Sequence, residues 1–345
     1  MKIELGNFPN KYDELLENNS CTFYQSSKHL KFLQKLLKIK AEFVTAIEND
    51  KLIGVLPLFR NKTKFGTVIN SLPFFGSYGG VISDKEEAKK NIIKFLNEYN
   101  KQHDILSSVI IADPFDSSEI YEKFYEFNDK EERMIQCIKF NKTQEITLWN
   151  NFEQRVRRAV RKAEKNLISV EYSIPNNKLL DDFYKTHVAN ILSKNGMTKP
   201  KEFFSLLKDS FTVGKDYDIL TANYESKPIA YLLVFYFKSF TEYYMPAYEA
   251  KNSDLQGTSL LIWESIKKSL NSNMKYYNFG GTHLEQKSLY NFKKGWNPDD
   301  FRYNYYVYGD LSKINELGEK ILRENFKNFY VYNYDKLSNY GIGSK

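Results

Sequence analysis

Apolar and polar positions along the first half of the chain change period in short blocks. From Ser27, the residues Leu30, Leu33, Leu36 and Leu37 recur at helical spacing, which predicts a helix capped by Ser27 and running through Lys38. Positions 42–47 and 52–59 read as two strands joined by a turn at Asn49-Asp50-Lys51, and 64–72 reads as a third. The run SLPFFGSYGG, from Ser71 to Gly80, reads as a loop. A helix over 84–99 and a buried strand over 105–112, stopped by Asp113-Pro114, close the block. In the second half, 179–192, 202–207 and 258–270 are expected as helices. Strands are expected over 134–140, 219–224, 229–237, 240–246, 276–279 and 301–308. Helices interleaved with hairpins imply an α+β chain whose sheets are mixed, mostly antiparallel and covered by helices.

One part of the pattern occurs twice. VTAIENDKLIGVLPL begins at Val44 and LTANYESKPIAYLLV begins at Leu220, a spacing of 176. At that offset Thr45, Ala46, Lys51, Ile53 and Leu56 match Thr221, Ala222, Lys227, Ile229 and Leu232. Lys51 and Lys227 are not core residues, so the match is more than shared hydrophobicity. It predicts an internal duplication into two domains of related fold, not a solenoid. The boundary is placed where strand 134–140 ends, giving domains 1–142 and 143–345.

Composition narrows the class. A chain of 345 residues is longer than one core usually covers. Net charge of +7 permits an anionic partner without requiring one. Two distant cysteines, Cys21 and Cys137, exclude a disulfide framework. His29, His103, His187 and His283 lack the spacing of a zinc site, so no metal is expected. The N-terminal MKIELGNFPNKYDE has no apolar signal core, and the longest apolar run, 229–237, is nine residues. A membrane span needs about 20. A soluble, cytoplasmic protein is expected.

Several motifs are missing. Gln286 precedes Lys287-Ser288 where a phosphate loop needs glycine, and there is neither a Gly-x-Ser-x-Gly elbow nor a dinucleotide-binding glycine fingerprint. Three stretches remain. In NFEQRVRRAVRKAEKN, from Asn151, six cations share one helix with two acids. The helix is either a solvated face or a set of guanidinium forks for phosphate. In NSDLQGTSLLIWESIKKSL, Gln256, Gly257, Thr258 and Ser259 open a helix. They form an ordinary cap or a main-chain site for a pyrophosphate or oxyanion. In NFGGTHLEQKSLYNFKKGW, Gly280 and Gly281 end a strand. Phe292 and Trp296 then flank Lys293 and Lys294, as walls of a slot would.

Together these residues resemble the FemAB-like acyltransferases and the related BioF2-like acetyltransferase domains of the GNAT superfamily. In the first domain the resemblance rests on Tyr24-Gln25-Ser26, LIGVLPLF at 52–59, SLPFFGSYGG and ADPF at 112–115. In the second it rests on RRAVRKAEKNLISVE at 157–171, the strand end at 244–250, the helix at 260–266 and FGG…LYNFKKGW. It implies two tandem GNAT-like domains. Members of the FemAB side move an amino acid from aminoacyl-tRNA to an amine of a peptidoglycan precursor, and other relatives use acyl-CoA or modify surface polysaccharides. The chain departs from the pattern in two ways. It has no charged heptad run for a coiled-coil arm, and Leu255-Gln256-Gly257-Thr258 is a degenerate form of the acetyl-CoA loop.

The expected activity is therefore N-acyl transfer to an amine of a cell-envelope precursor, peptidoglycan or surface glycan. Aminoacyl-tRNA is favoured as donor over acyl-CoA, which would instead serve an N-acetyltransferase of an amino sugar or other small amine. Either donor is a co-substrate, and no bound cofactor is expected. A binding module that kept the fold without chemistry is the reading from another class. By resemblance, Lys293 contacts the acceptor phosphate or the oxyanion. Arg158, Arg161 and Lys162 hold the phosphates of a nucleotide-linked precursor, with Tyr248, Lys294 and Trp296 beside it. Gln256, Gly257, Thr258, Ser259, Gly280 and Gly281 face the donor. Asp113 is the first-domain carboxylate placed to take a proton, or only a turn residue. Glu249 and Glu285 are further candidate bases.

Overall fold

The computed structural model describes residues 1–74, 76–141, 143–194 and 196–337. Phe75, part of the expected loop, and Lys142, the expected domain edge, lie outside them. In chain order the elements are β1 (Lys2–Gly6), α1 (Tyr12–Asn18), α2 (Ser27–Leu37), β2 (Ala41–Glu48), β3 (Lys51–Thr63), β4 (Gly66–Asn70), α3 (Glu86–Gln102), β5 (Ile105–Ile111), α4 (Glu119–Phe124) and β6 (Asp129–Lys139). There follow α5 (Glu145–Asn151), α6 (Gln154–Lys165), β7 (Ser169–Ser173), α7 (Asn177–Leu192), α8 (Lys201–Ser210), β8 (Tyr217–Tyr224), β9 (Lys227–Phe237), β10 (Phe240–Tyr248), α9 (Gly257–Asn271), β11 (Tyr276–Thr282), α10 (Lys287–Lys294), β12 (Asp299–Gly309) and α11 (Leu311–Asn325). No helix of the described residues is long and apolar enough to cross a membrane.

The succession β1 to β6 is repeated by β7 to β12, with helices at corresponding places. The duplicated hairpin matches in detail. Strands β2 and β3 start at Ala41 and Lys51, and β8 and β9 start at Tyr217 and Lys227. Asn49 and Asp50 both take positive φ (49° and 59°), as do Glu225 and Ser226 (48° and 60°). Such two-residue turns match the right-handed twist of the strands they join. The register shifts between Ala46 and Ile47 in one hairpin and between Ala222 and Asn223 in the other.

The chain divides into two compact units at 133/134 and 301/302. This differs from a single cut after 142, because the sixth strand of each repeat joins the other unit. The first unit, Met1–Arg133 with the chain from Arg302 on, has the strand order β1-β2-β3-β4-β5-β12. The second, Met134–Phe301, has β7-β8-β9-β10-β11-β6. In each unit every pairing along this order is antiparallel except one, β4 with β5 and β10 with β11.

In the first unit α3 covers β2 and β3, and Gly54 leaves room for Ile92 of that helix. In the second unit α9 covers β8, β9 and β10, α6 packs on α9, and α7 lies on β10. Val156, Val160 and Ala163 of α6 and Leu260, Leu261, Trp263 and Ile266 of α9 belong to one buried cluster with Leu220, Leu232 and Phe279 of the sheet. Gly257 lets α9 approach the sheet closely there, since a Cβ would stand 3.2 Å from both Ala222 and Ile229. The helix ends shift slightly from expectation. Ser26, not Ser27, caps α2 by accepting the His29 N–H.

Candidate active site

The second unit holds an open wedge in its sheet. The parallel strands β10 and β11 pair only from Phe240 and Tyr276 to Glu242 and Asn278. At that level both strands become irregular. In β10 the register with β9 jumps from Tyr243 to Met245. In β11 the register with β6 jumps from Asn278 to Gly281, with Gly280 at φ 72°. A bulge bends its strand, so the two part where each carries one. Parting parallel strands exposes main-chain groups that a ligand can bind. Asn278 joins the strands at the vertex, donating to Glu242 Oε2 (2.9 Å) and accepting the Gly280 N–H (2.9 Å). At the far end of β10, the Asn190 side chain of α7 bonds both main-chain groups of Tyr248 at 2.6 Å.

The corresponding place in the first unit is filled. Beyond Asn70 the Ser71 N–H donates to Val109 O, the Ser71 hydroxyl accepts the Ile111 N–H, and the Gly79 N–H donates to Ile111 O. Residues 71–74 and 76–80 form this plug. Gln25 and Tyr121 crowd so closely on Gly79 and Gly80 that a Cβ on either would collide with them. Gln25 Nε2 donates to Gly80 O, and Tyr121 accepts the Val81 N–H, both at 2.8 Å.

Lys293 of α10 is buried at 2% exposure. Its ammonium donates to Gly280 O and Gly281 O (2.9 Å each) and to Thr282 Oγ1 (2.7 Å). An ammonium has three donors, and all are engaged. Burial draws Lys293 down to about 7. Lys293 and the glycine pair expected beside it thus form one assembly, in which the lysine pins the irregular end of β11. Trp296 does not wall the expected slot. Trp296 is 1% exposed and packs on Phe152 and Phe279, because it sits in the core cluster of α6 and α9. Lys294 turns back to Pro298 O (3.1 Å).

From β10 the chain reaches α9 through Gln256, which adopts a left-handed conformation (φ 61°). The Gln256 carbonyl accepts the N–H of Ser259 and of Leu260. No protein acceptor among the described residues meets the amides of Gly257 and Thr258. Such a helix start suits an anionic or carbonyl oxygen. On α6 the cations divide. Arg155 bonds Glu153 and Asn291 O, Arg157 donates to Asn150 O (2.7 Å), and Arg161 lies 5.6 Å from the Trp149 ring centre. Arg158, Lys162 and Lys165 are exposed, opposite the face that packs on α9, and pair with no carboxylate among the described residues.

A family model described as an acetyltransferase (GNAT) domain matches residues 150–294, the segment that carries the wedge, α6 and α9. The chain has a tandem GNAT fold, and its segment 150–294 is similar to an acetyltransferase domain of that fold. The crystal structure of FemX is similar over 88% of this chain and 97% of its own, with 16% identity and a TM-score of 0.67. L-PGS from Bacillus licheniformis is similar over 88% and 93%, with 14% identity and a TM-score of 0.55. A tandem GNAT protein from the clavulanic acid biosynthesis pathway is similar over 89% and 98%, with 8% identity and a TM-score of 0.55. A search of curated proteins found no match.

The remaining site residues of this GNAT-fold chain lie as follows. Asp113 belongs to the first unit, where it is buried and accepts the Phe115 N–H at 2.8 Å as a turn residue does. Burial raises its carboxyl to about 6. Glu249 accepts from Asn252 Nδ2 at 2.7 Å, and Glu285 is exposed. Sequence reading did not single out Tyr244, Asn190, His187 or Lys199, which surround β10 on the side of α7. They sit at no motif spacing, and Lys199 reads only as the residue before Pro200. A lysine buried to 9% exposure announces itself only through the fold.

Proposed function

We propose that the chain is a cytoplasmic N-acyltransferase that moves an aminoacyl group from aminoacyl-tRNA to an amine of a peptidoglycan or surface-glycan precursor. The observation that carries this reading is the unneutralised stripe of Arg158, Lys162 and Lys165, borne on the helix that packs against α9. Three exposed cations without partners repel one another, and a polyanion relieves that cost. The donor ester would enter the wedge between β10 and β11. There the amine attacks the carbonyl carbon, negative charge grows on the carbonyl oxygen, and main-chain donors stabilise it. Such a reaction needs placement and desolvation but no protein nucleophile. Lys293 supports this by fixing the shape of β11 and not by touching the oxyanion. Phosphates of a nucleotide-linked acceptor are assigned to Arg161, and the donor is a co-substrate with no resident cofactor.

One observation favours acyl-CoA instead. The free amides of Gly257 and Thr258 would receive a pyrophosphate in an N-acetyltransferase acting on an amino sugar or other small amine. Equilibrium binding of the intact protein to aminoacyl-tRNA, deacylated tRNA and acetyl-CoA separates the readings. Micromolar or tighter binding of aminoacyl-tRNA that weakens steeply with salt supports the first. Binding of acetyl-CoA alone supports the second. Binding of neither leaves a fold that has lost its chemistry.

A further inference from the structure

Two tyrosines of β10, Tyr244 and Tyr248, are each met by a lysine from the segment between α7 and α8. Lys194 Nζ lies 5.6 Å from the Tyr248 ring centre and Lys199 Nζ lies 4.9 Å from that of Tyr244. Lys199 also stands 5.6 Å from the ring of Phe203, which stacks on Tyr244 with the two planes 4° apart. The Lys199 main-chain N–H donates to His187 Nε2 (3.1 Å), so the neutral imidazole carries its proton on Nδ1. That Nδ1 is buried and has no partner among the described residues. Burial draws Lys199 down to about 7, and burial with the neighbouring lysine takes His187 to about 4. Tyr244 is the residue skipped in the register where β10 leaves β11, so this box is built against the vertex of the wedge.

We propose that Lys199 is the proton acceptor for the amine that attacks in the wedge between β10 and β11, directly or through one water. The proposal rests on the acyl-transfer reading above. An acceptor amine arrives protonated and cannot attack in that form. Lys199, as the neutral amine, takes one proton. The freed lone pair then bonds to the carbonyl carbon, and the bond from that carbon to the donor oxygen or sulfur breaks. The second nitrogen proton leaves with that oxygen or sulfur. Lys199 finally returns its proton to solvent. A base whose affinity for the proton lies near the working pH is best suited to this step, and an aromatic box that disfavours the ammonium provides one. Titratable groups that face Lys199 include His187 of α7 and Tyr244 of β10. Lys194 and Lys201 flank it along the chain, and Lys201 is paired with Asp181. Lys293 cannot take the same part, because its donors are held by Gly280, Gly281 and Thr282.

The test uses the whole protein, aminoacyl-tRNA or acetyl-CoA as donor, and two amines as acceptors. Free lysine is protonated at neutral pH, whereas methoxyamine is not. Lys199→Met should lower transfer to lysine by about 10²-fold or more. It should also remove the rise of rate with pH near 7, while leaving donor binding and transfer to methoxyamine within about threefold of wild type. Lys199→Arg keeps a cation in the box and should show the same selective loss, which covers the case in which the methionine variant does not fold. Equal losses with both amines, or an unchanged rise with pH, would overturn the proposal and leave the acyl-transfer reading standing. No transfer by the wild type from either donor would remove that reading and this role with it. As a readout independent of turnover, ¹³C-methylated lysines followed by NMR should include one that titrates near neutrality, persists in Lys293→Met and is lost in Lys199→Met. Absence of such a signal also overturns the proposal.

Discussion

Lys293 spends its ammonium on Gly280 O, Gly281 O and Thr282 Oγ1, so its removal strands polar atoms at the irregular end of β11. Lys293→Met should therefore destabilise the second unit by about 2–3 kcal/mol, as expected when buried acceptors lose their donor. Chemical denaturation would measure this, and a change below about 0.5 kcal/mol would mean that the glycine turn holds its shape alone. Asp113 makes a prediction of opposite kind. Its carboxyl titrates near 6 in the fold, against about 3.9 in an unfolded chain. Below pH 4 both states hold the proton, and above pH 6 both have lost it. Between the two only the folded carboxyl keeps it, so this contribution to stability is full below about pH 4 and is lost as pH rises through 6. Asp113→Asn still offers an oxygen to the Phe115 N–H and has nothing to ionise. Relative to wild type it should gain about 2–3 kcal/mol between pH 4 and pH 7. A pH-independent difference between the two proteins would show that the carboxyl does not carry the shift. The chemistry-bearing residue types at these positions were legible in the sequence. Their partners were not, because a carbonyl brought to within 3 Å of a lysine belongs to another element.

The hairpin of β2 and β3 and that of β8 and β9 share turn geometry and bulge position but not turn residues. Asn49-Asp50 suits two positive φ angles, whereas Glu225-Ser226 takes the same angles at a cost. Glu225→Asn together with Ser226→Gly should raise the stability of the second unit by about 1 kcal/mol, read as a higher denaturation midpoint. The duplication was visible in the sequence because the period-2 pattern of these strands is strong and their turns are short. β1 and β7 were missed for the converse reason. Each is five residues long with only two apolar positions, Ile3 and Leu5 in one and Val170 and Tyr172 in the other, so the alternation is too short to read. Helix α6 was expected from Asn151 on but begins at Gln154, after a break at Phe152, and it buries Val156, Val160 and Ala163. Which of its cations are unpaired depends on tertiary neighbours, above all Asn291 O and the Trp149 ring. Replacing Arg158, Lys162 and Lys165 with Gln should leave stability within about 0.5 kcal/mol, because all three face solvent. It should weaken aminoacyl-tRNA binding and lower the slope of affinity against salt by up to about 0.9 per cation. Filter binding across a salt series measures both, and an unchanged slope would remove α6 from the donor site.

At the scale of the molecule, the position of the sixth strands decides where the chain can be cut. A linear reading places the first domain at 1–142, since strand 134–140 ends there and helix follows. That reading cannot show that β6 from Met134 pairs with β11, nor that β12 returns to β5, because strand order is set by pairing between segments far apart in sequence. Tyr305↔Ile111 through Gly309↔Ser107 bind β12 along the length of β5, whose seven residues are all buried. A fragment of residues 1–142 would therefore present ILSSVII as a bare, apolar sheet edge and should aggregate. It would also lose Tyr303, Tyr306 and Val307 from its core, and the contact of Ser107 Oγ with Val331 O. Co-expression with residues 302–345 should restore a soluble complex, because that segment supplies β12 and α11 to the first unit. The reciprocal fragment, 134–301, contains all six strands of the second unit, the wedge and α6, and should fold on its own. Size-exclusion chromatography and circular dichroism of the three preparations measure the outcome. A soluble, cooperatively folding 1–142 would mean that β12 is dispensable to the first unit, and an insoluble 134–301 would mean that the second unit needs more than its own strands.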